Sequence, residues 1–224
     1  MSRETFLARV RAAAESGRAY RVQHAEIPPN AGYVGGGADL VKHFADEVTA
    51  AGGLAQIVDD AASARAALSE ILAGLPVRSA FCWQHPLLER LGVNELLADQ
   101  GIETLSYDGL SLLEADVRRA RLLAADLGIT SVMLGVAETG SALVAAGPGT
   151  ERLASLLPPI YVTIVESSQL VADLFDAFAE LGRLPDGLPS NLTFITGPSK
   201  TGDIELKLTT GVHGPGVWHV IVIR

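Results

Sequence analysis

Eight short apolar runs, GLAQIVD, VRSAFCW, IETLSY, SVMLGVA, SALVAA, YVTIVES, NLTFIT and VWHVIVIR, recur from Gly53 onward and constrain the fold more than any other feature of this chain. They are short, rich in valine and isoleucine, and do not alternate cleanly between apolar and polar residues, which suits strands covered on both faces. Helical spacing appears between them. In ADLVKHFADEVTAAGG, Leu40, Val41, Phe44, Ala45 and Val48 fall on one face, and Gly52 and Gly53 end the segment. In LSLLEADVRRARLLAADLG, Leu113, Val117, Ala120, Ala124 and Leu127 step by four and three, with Glu114 and Arg118 one turn apart outside. In SSQLVADLFDAFAELG, Ser167 or Ser168 is placed to cap a helix that packs Leu170, Val171, Leu174, Phe175 and Phe178 and stops at Gly182. Helix and strand therefore alternate, and the expected fold is α/β: a three-layer α/β/α arrangement around a mostly parallel sheet. SVMLGVA and SALVAA break the rule, because only Glu138, Thr139 and Gly140 separate them. That gap fits a hairpin turn and no crossover helix, so the sheet is expected to be mixed.

Composition narrows the function classes. At 224 residues the chain buries about 70 to 75% of its surface in one large domain without a staple. Seventeen Lys and Arg against 26 Asp and Glu leave a net charge of -9, which repels phosphate backbones, so nucleic acid is not an expected partner. The apolar runs are too short for a membrane span, and MSRETFLARVRAAAESG lacks the apolar core of a secretory signal, so the cytoplasm is expected. Asn191, Leu192 and Thr193 form a glycosylation sequon that reads more simply as the start of a strand. The single cysteine, Cys82, reads as a buried strand residue and is too few for an iron–sulfur cluster or a multi-cysteine zinc site. Residues 1–37 read as an N-terminal helix and a flexible connection, IPPNAGYVGGG, ahead of a domain over residues 38–224; the glycines of that connection could also shape a substrate-facing loop.

The common cofactor signatures fail. Gly35, Gly36, Gly37 and Gly147, Gly149 begin G-x-G patterns, but Leu40 and Arg152 stand where a dinucleotide fingerprint needs its third glycine. Lys200 and Thr201 follow Ser199 where a P-loop requires glycine. His213 and His219 lack partners at ligand spacing, so no metal is expected. Two polar clusters remain. After NLTFIT come Gly197, Ser199, Lys200, Thr201 and Asp203; at the C-terminal end of a parallel strand this loop would aim amides, hydroxyls and an ammonium at a small carboxylate or phosphate. The alternative is a turn in which Ser199 or Thr201 caps a short helix. The second cluster is Glu138, Thr139, Gly140 and Ser141. Glu138 is either a solvated turn residue or, in a desolvating cleft, a base or nucleophile.

These clusters carry a resemblance. VAETGSALVAAG, TFITGPSKTGDIE and GVHGP, in that order, resemble the A-E-T-G-T, G-P-S-[RK]-T-[AG]-D-I-E and G-V-H-G-P motifs of the LUD domain family, in its lactate-utilisation protein C branch. The match runs from about Leu40 to Arg224, weakly in the first half. Ser141 replaces the usual threonine and Gly202 the common alanine. The resemblance implies a fold akin to the sugar-isomerase (NagB/RpiA) and CoA-transferase superfamily, and a part in oxidising L-lactate to pyruvate. In that superfamily a glutamate near a comparable turn accepts an acyl group, which makes Glu138 the candidate. Lactate oxidation releases two electrons, and nothing recognisable in this sequence receives them, so iron–sulfur clusters are expected in partner subunits and no cofactor in this chain. The expected role is binding a small carboxylate or organising the complex, with Lys200 as counter-ion, Ser199 and Thr201 as donors, and His213 orienting the ligand or exchanging a proton. A self-sufficient enzyme using Glu138 and a non-catalytic scaffold are the alternatives.

Overall fold

The computed structural model describes residues 2–17, 35–185, 187–204, 207–211 and 213–224. It separates into two compact units, Met1–Val34 and Gly35–Arg224. In the first, helix α1 (Arg3–Gly17) keeps Phe6, Leu7 and Val10 exposed. The expected connection Ile27–Gly37 lies outside the described residues except for Gly35, Gly36 and Gly37, which belong to the second unit.

The second unit runs α2 (Leu40–Ala50), β1 (Leu54–Val58), α3 (Ala61–Ala73), β2 (Ser79–Cys82), α4 (Pro86–Arg90), α5 (Val93–Asp99), β3 (Glu103–Leu105), α6 (Tyr107–Ser111), α7 (Ala115–Leu123) and β4 (Leu127–Thr130). It continues with β5 (Leu134–Val136), β6 (Ser141–Ala146), α8 (Leu153–Leu156), β7 (Ile160–Glu166), β8 (Leu170–Val171), α9 (Leu174–Leu181), β9 (Asn191–Ile195), β10 (Lys200–Ile204), β11 (Lys207–Thr210) and β12 (Val217–Ile223). Six strands form a sheet in the order β1-β12-β7-β4-β2-β3, with every pairing parallel. Its middle strands carry the most β-branched runs, and Val162, Ile164, Val165, Val220, Ile221 and Val222 are wholly buried because both faces are covered. Cys82 ends β2, and burial pushes its thiol up to about 12.

The hairpin does not join that sheet. β5 and β6 pair antiparallel around the expected turn, and they stand with β8 and β9 in a separate four-stranded sheet ordered β8-β5-β6-β9. The predicted helix over Leu113–Leu127 is corrected: α6 and α7 replace it, Leu127 opens β4, and Leu113, Val117 and Leu123 are exposed. The cap at Ser167 or Ser168 is also corrected. Those residues form a 3-10 turn, while Asp173 accepts from the Asp176 amide at 2.8 Å and starts α9, leaving Phe175 and Phe178 77% and 60% exposed. Neither serine caps a helix because two residues of β8 intervene.

Helix α2 follows its spacing. Asp39 caps it by accepting from the Lys42 amide at 3.0 Å, and Val41, Phe44, Ala45 and Val48 are buried. Each of the larger of these side chains contributes about 2 kcal/mol by leaving water. The helix packs on β1 and on the turn between β5 and β6, which makes it the frame of the site described below. Among the described residues, no helix is long and apolar enough to cross a membrane.

Two histidines tie this unit to pH. His85 caps α4 by accepting from the Leu87 amide at Nδ1, and burial lowers the basicity of both His85 and His219, against the pull of Glu166 and Glu89 at His85. The unfolded chain therefore binds more protons below its ordinary histidine pKa of about 6.5. The stabilisation is complete above that value and is lost as pH falls through the folded values. The urea midpoint is expected to drop between pH 7.5 and pH 5.5, and the double variant His85→Asn, His219→Gln to flatten that drop; an unchanged slope would show that these residues do not carry it.

Candidate functional site

Two separate stretches meet around the C-terminal end of α2, and a third is bound to one of them. The first is the turn Ala137–Thr139, a single 3-10 turn closed by Gly140 in the left-handed region (φ 60°). A Cβ on Gly140 would lie 2.4 Å from the Val48 nitrogen, so this turn packs directly on the helix backbone. The second is the stretch after β9. At Gly197 (φ 85°) a Cβ would lie 2.6 Å from the Ala51 carbonyl oxygen, and Lys200 Nζ donates to that same oxygen at 2.5 Å. A lysine there suits the negative end of a helix. The third stretch, Gly211–Gly216, is stitched to the second by backbone bonds. Ser199 donates its amide to Pro215 at 2.8 Å and accepts at its carbonyl from the Gly211 amide at 2.9 Å.

Strand register joins the first stretch to the second. β6 and β9 pair antiparallel with Ala142 opposite Ile195, so one step further Ser141 faces Thr196. Their hydroxyls are 2.6 Å apart, and Ser141 Oγ also lies 2.7 Å from Thr139 Oγ1. Because β9 is antiparallel to its neighbour, the Gly197 loop does not follow a parallel strand, contrary to expectation. No helix follows Ser199 or Thr201 either: Lys200–Ile204 and Lys207–Thr210 form the hairpin β10–β11 with Thr201 opposite Thr209.

Between the second and third stretches opens a cleft of about 250 Å³. Ser199, His213, Thr193 and Thr196 give it polar groups, and Leu156, Phe194, Pro198 and Pro215 make much of its wall over Tyr161 and Trp218. Trp218 Nε1 donates to Thr163 Oγ1 at 2.9 Å, which fixes the indole. Burial pushes the Tyr161 phenol up, and its oxygen lies 2.6 Å from Thr130 Oγ1, so it forms structure and not a reactive group.

Of the residues singled out from sequence, the cleft gathers Gly197, Ser199 and His213. Ser141 and Thr139 reach it through Thr196. Glu138 is not part of its lining; its Oε1 accepts from the Gly35 amide at 3.1 Å, and its own amide donates to Ala172. Lys200 stands off the lining on the Ala51 carbonyl, and Gly140 faces α2. Thr201 and Asp203 lie in β10, and the Asp203 side chain is outside what the structure describes. Sequence spacing missed Thr193, Thr196 and Trp218. The signal for Thr196 was its place directly before Gly197, at the end of a strand that must pair with the hairpin.

A family model described as the LUD domain matches residues 41–223. The chain is similar to the lactate utilization protein C of Halalkalibacterium halodurans, 33% identical over 153 residues, 66% of this chain and 64% of that protein. It is also similar to the protein of the same name from Shouchella clausii, 32% identical over 151 residues, with 66% and 64% covered. The chain thus spans just under two thirds of the length of these relatives. Among solved structures, a DUF162 family protein from Deinococcus radiodurans aligns with a TM-score of 0.59 and 21% identity, covering 82% of this chain and 96% of that one, which establishes a shared fold.

Proposed function

We propose, from the premise that this chain belongs to the LUD domain family, that it works in lactate utilisation as the subunit that binds a small carboxylate, while iron–sulfur partner proteins carry the electrons. The observation that carries this reading is the cleft in which Ser199 and His213 converge from two of the three motif stretches. The names of the curated relatives support the metabolic setting. Conversion of L-lactate to pyruvate removes two electrons and two protons, and one half-buried cysteine whose thiol is pushed up to about 12 is a poor start for a cluster that takes several thiolates. Ser199 offers a hydroxyl donor to the carboxylate, and His213 offers an imidazole N–H. Glu138 is held by a backbone amide, an arrangement that supports a structural use of its carboxylate over a nucleophilic one.

The test is growth on L-lactate in a bacterium whose own counterpart has been deleted. The wild-type chain is expected to restore growth and to co-purify with cysteine-rich iron–sulfur proteins under mild conditions. The double variant Ser199→Ala, His213→Ala is expected to fold and still co-purify, but to slow growth severalfold. Full growth with that variant would remove the cleft from the function, and restoration without any iron–sulfur partner would remove the division of labour.

A further inference from the structure

Behind the cleft stand three hydroxyls in a row: Thr139, Ser141 and Thr196, joined by contacts of 2.7 and 2.6 Å. Three hydroxyls hold three protons, and two hydrogen bonds use two of them, so one hydroxyl of the row always has a proton left to give. At the Thr139 end that proton would sit in a partly buried turn packed on α2. At the other end Thr196 is exposed and lines the cleft. An acceptor in the cleft turns every proton outward, Thr139 to Ser141, Ser141 to Thr196, Thr196 to the ligand, and each bond polarises the next. A ligand that only donates leaves the spare proton on Thr139, on Ser141 or with water beside the exposed Thr196, and gains none of that alignment. The row therefore selects an acceptor.

Size adds a second constraint. The cleft measures about 250 Å³, and at roughly 10 to 15 Å³ for each water admitted, a three-carbon acid leaves more than half of it wet. Its wall of Leu156, Phe194, Pro198 and Pro215 has no hydrogen-bonding side chain for that water. Resting on the reading above that this cleft binds a carboxylate, we propose that the ligand is a monocarboxylate with an apolar body, about ten or more non-hydrogen atoms in all. Its head is received by Thr196 Oγ1, with Ser141 and Thr139 aligned behind it, in addition to Ser199 and His213 of the reading above, and its body lies on the apolar wall.

Calorimetric titration of the full chain with 3-phenylpropanoate, L-lactate and 3-phenylpropan-1-ol tests this. 3-Phenylpropanoate is expected to bind at least about tenfold more tightly than L-lactate. Thr196→Val is expected to weaken 3-phenylpropanoate about tenfold, the loss of one hydrogen bond to a charged group, and the alcohol, whose oxygen accepts but carries no charge, only about threefold. Thr196→Ser is expected to restore the acid, and matching urea midpoints exclude a folding defect. If L-lactate binds as tightly, or the valine variant weakens acid and alcohol alike, this inference fails while the small-carboxylate reading stands. If no carboxylate binds, both fail.

Discussion

Gly140→Ala is expected to lower the free energy of unfolding by about 3 kcal/mol or more, a large part of the 5 to 15 kcal/mol typical of a domain. Two costs combine. The backbone at Gly140 lies at φ 60° and ψ 30°, where an L side chain costs about 1 to 2 kcal/mol. The new methyl would also stand 2.4 Å from the Val48 nitrogen and 2.6 Å from the Glu47 carbonyl carbon. Neither is the free end of a flexible side chain, so α2 must move, and such overpacking costs about 1 to 3 kcal/mol more. The displacement is not confined to stability: α2 ends at the Ala51 carbonyl that holds Lys200, so the Gly197 loop should shift with it. Urea unfolding measures the first effect, and amide exchange at residues 197–200 the second. A midpoint equal to wild type would mean that the turn and the helix do not touch as described.

Trp218→Ala is expected to cost about 4 kcal/mol, within the range for emptying a large aromatic site. Trp218 is 1% exposed, and the Thr163 hydroxyl that receives its indole proton is fully buried, so the variant leaves a cavity and takes away one of that hydroxyl's hydrogen bonds. Trp218→Phe separates the two, because it keeps most of the volume and gives up only the hydrogen bond, a loss of about 1 to 2 kcal/mol. Thermal unfolding of the pair is the measurement. Equal losses for the two variants would show that the volume contributes little.

The parts of this fold that local pattern determines were legible in the sequence, and the parts that depend on distant pairing were not. α2 appears because its apolar residues repeat on one face and two glycines stop it. β7 and β12 appear because unbroken β-branched runs of that length have few other uses. β4 was lost to the preceding helix because Leu127 continues a helical step, and the break between β4 and β5 carries neither glycine nor proline, only Ser131, Val132 and Met133. α9 was given the wrong cap because two serines compete with Asp173, and the two residues of β8 that decide between them are too short to show periodicity. At the site, the three motif stretches were visible as polar clusters. What drew them together was not: the facing of Ser141 and Thr196 follows from a register between strands some fifty residues apart, and the close approach of Gly140 and Gly197 to one helix end follows from tertiary packing.

The central position of β12 has a consequence for the nascent protein. β1 hydrogen-bonds to β12 and to no other strand of its sheet, and β12 also bridges to β7. Until residues 217–223 have left the ribosome, β1 has no partner and two rows of backbone groups stand open to water or to other chains. β12 therefore closes the sheet, and a chain cut short before Val217 would carry unpaired edges on β1 and β7, the kind of species on which chaperones and proteases act.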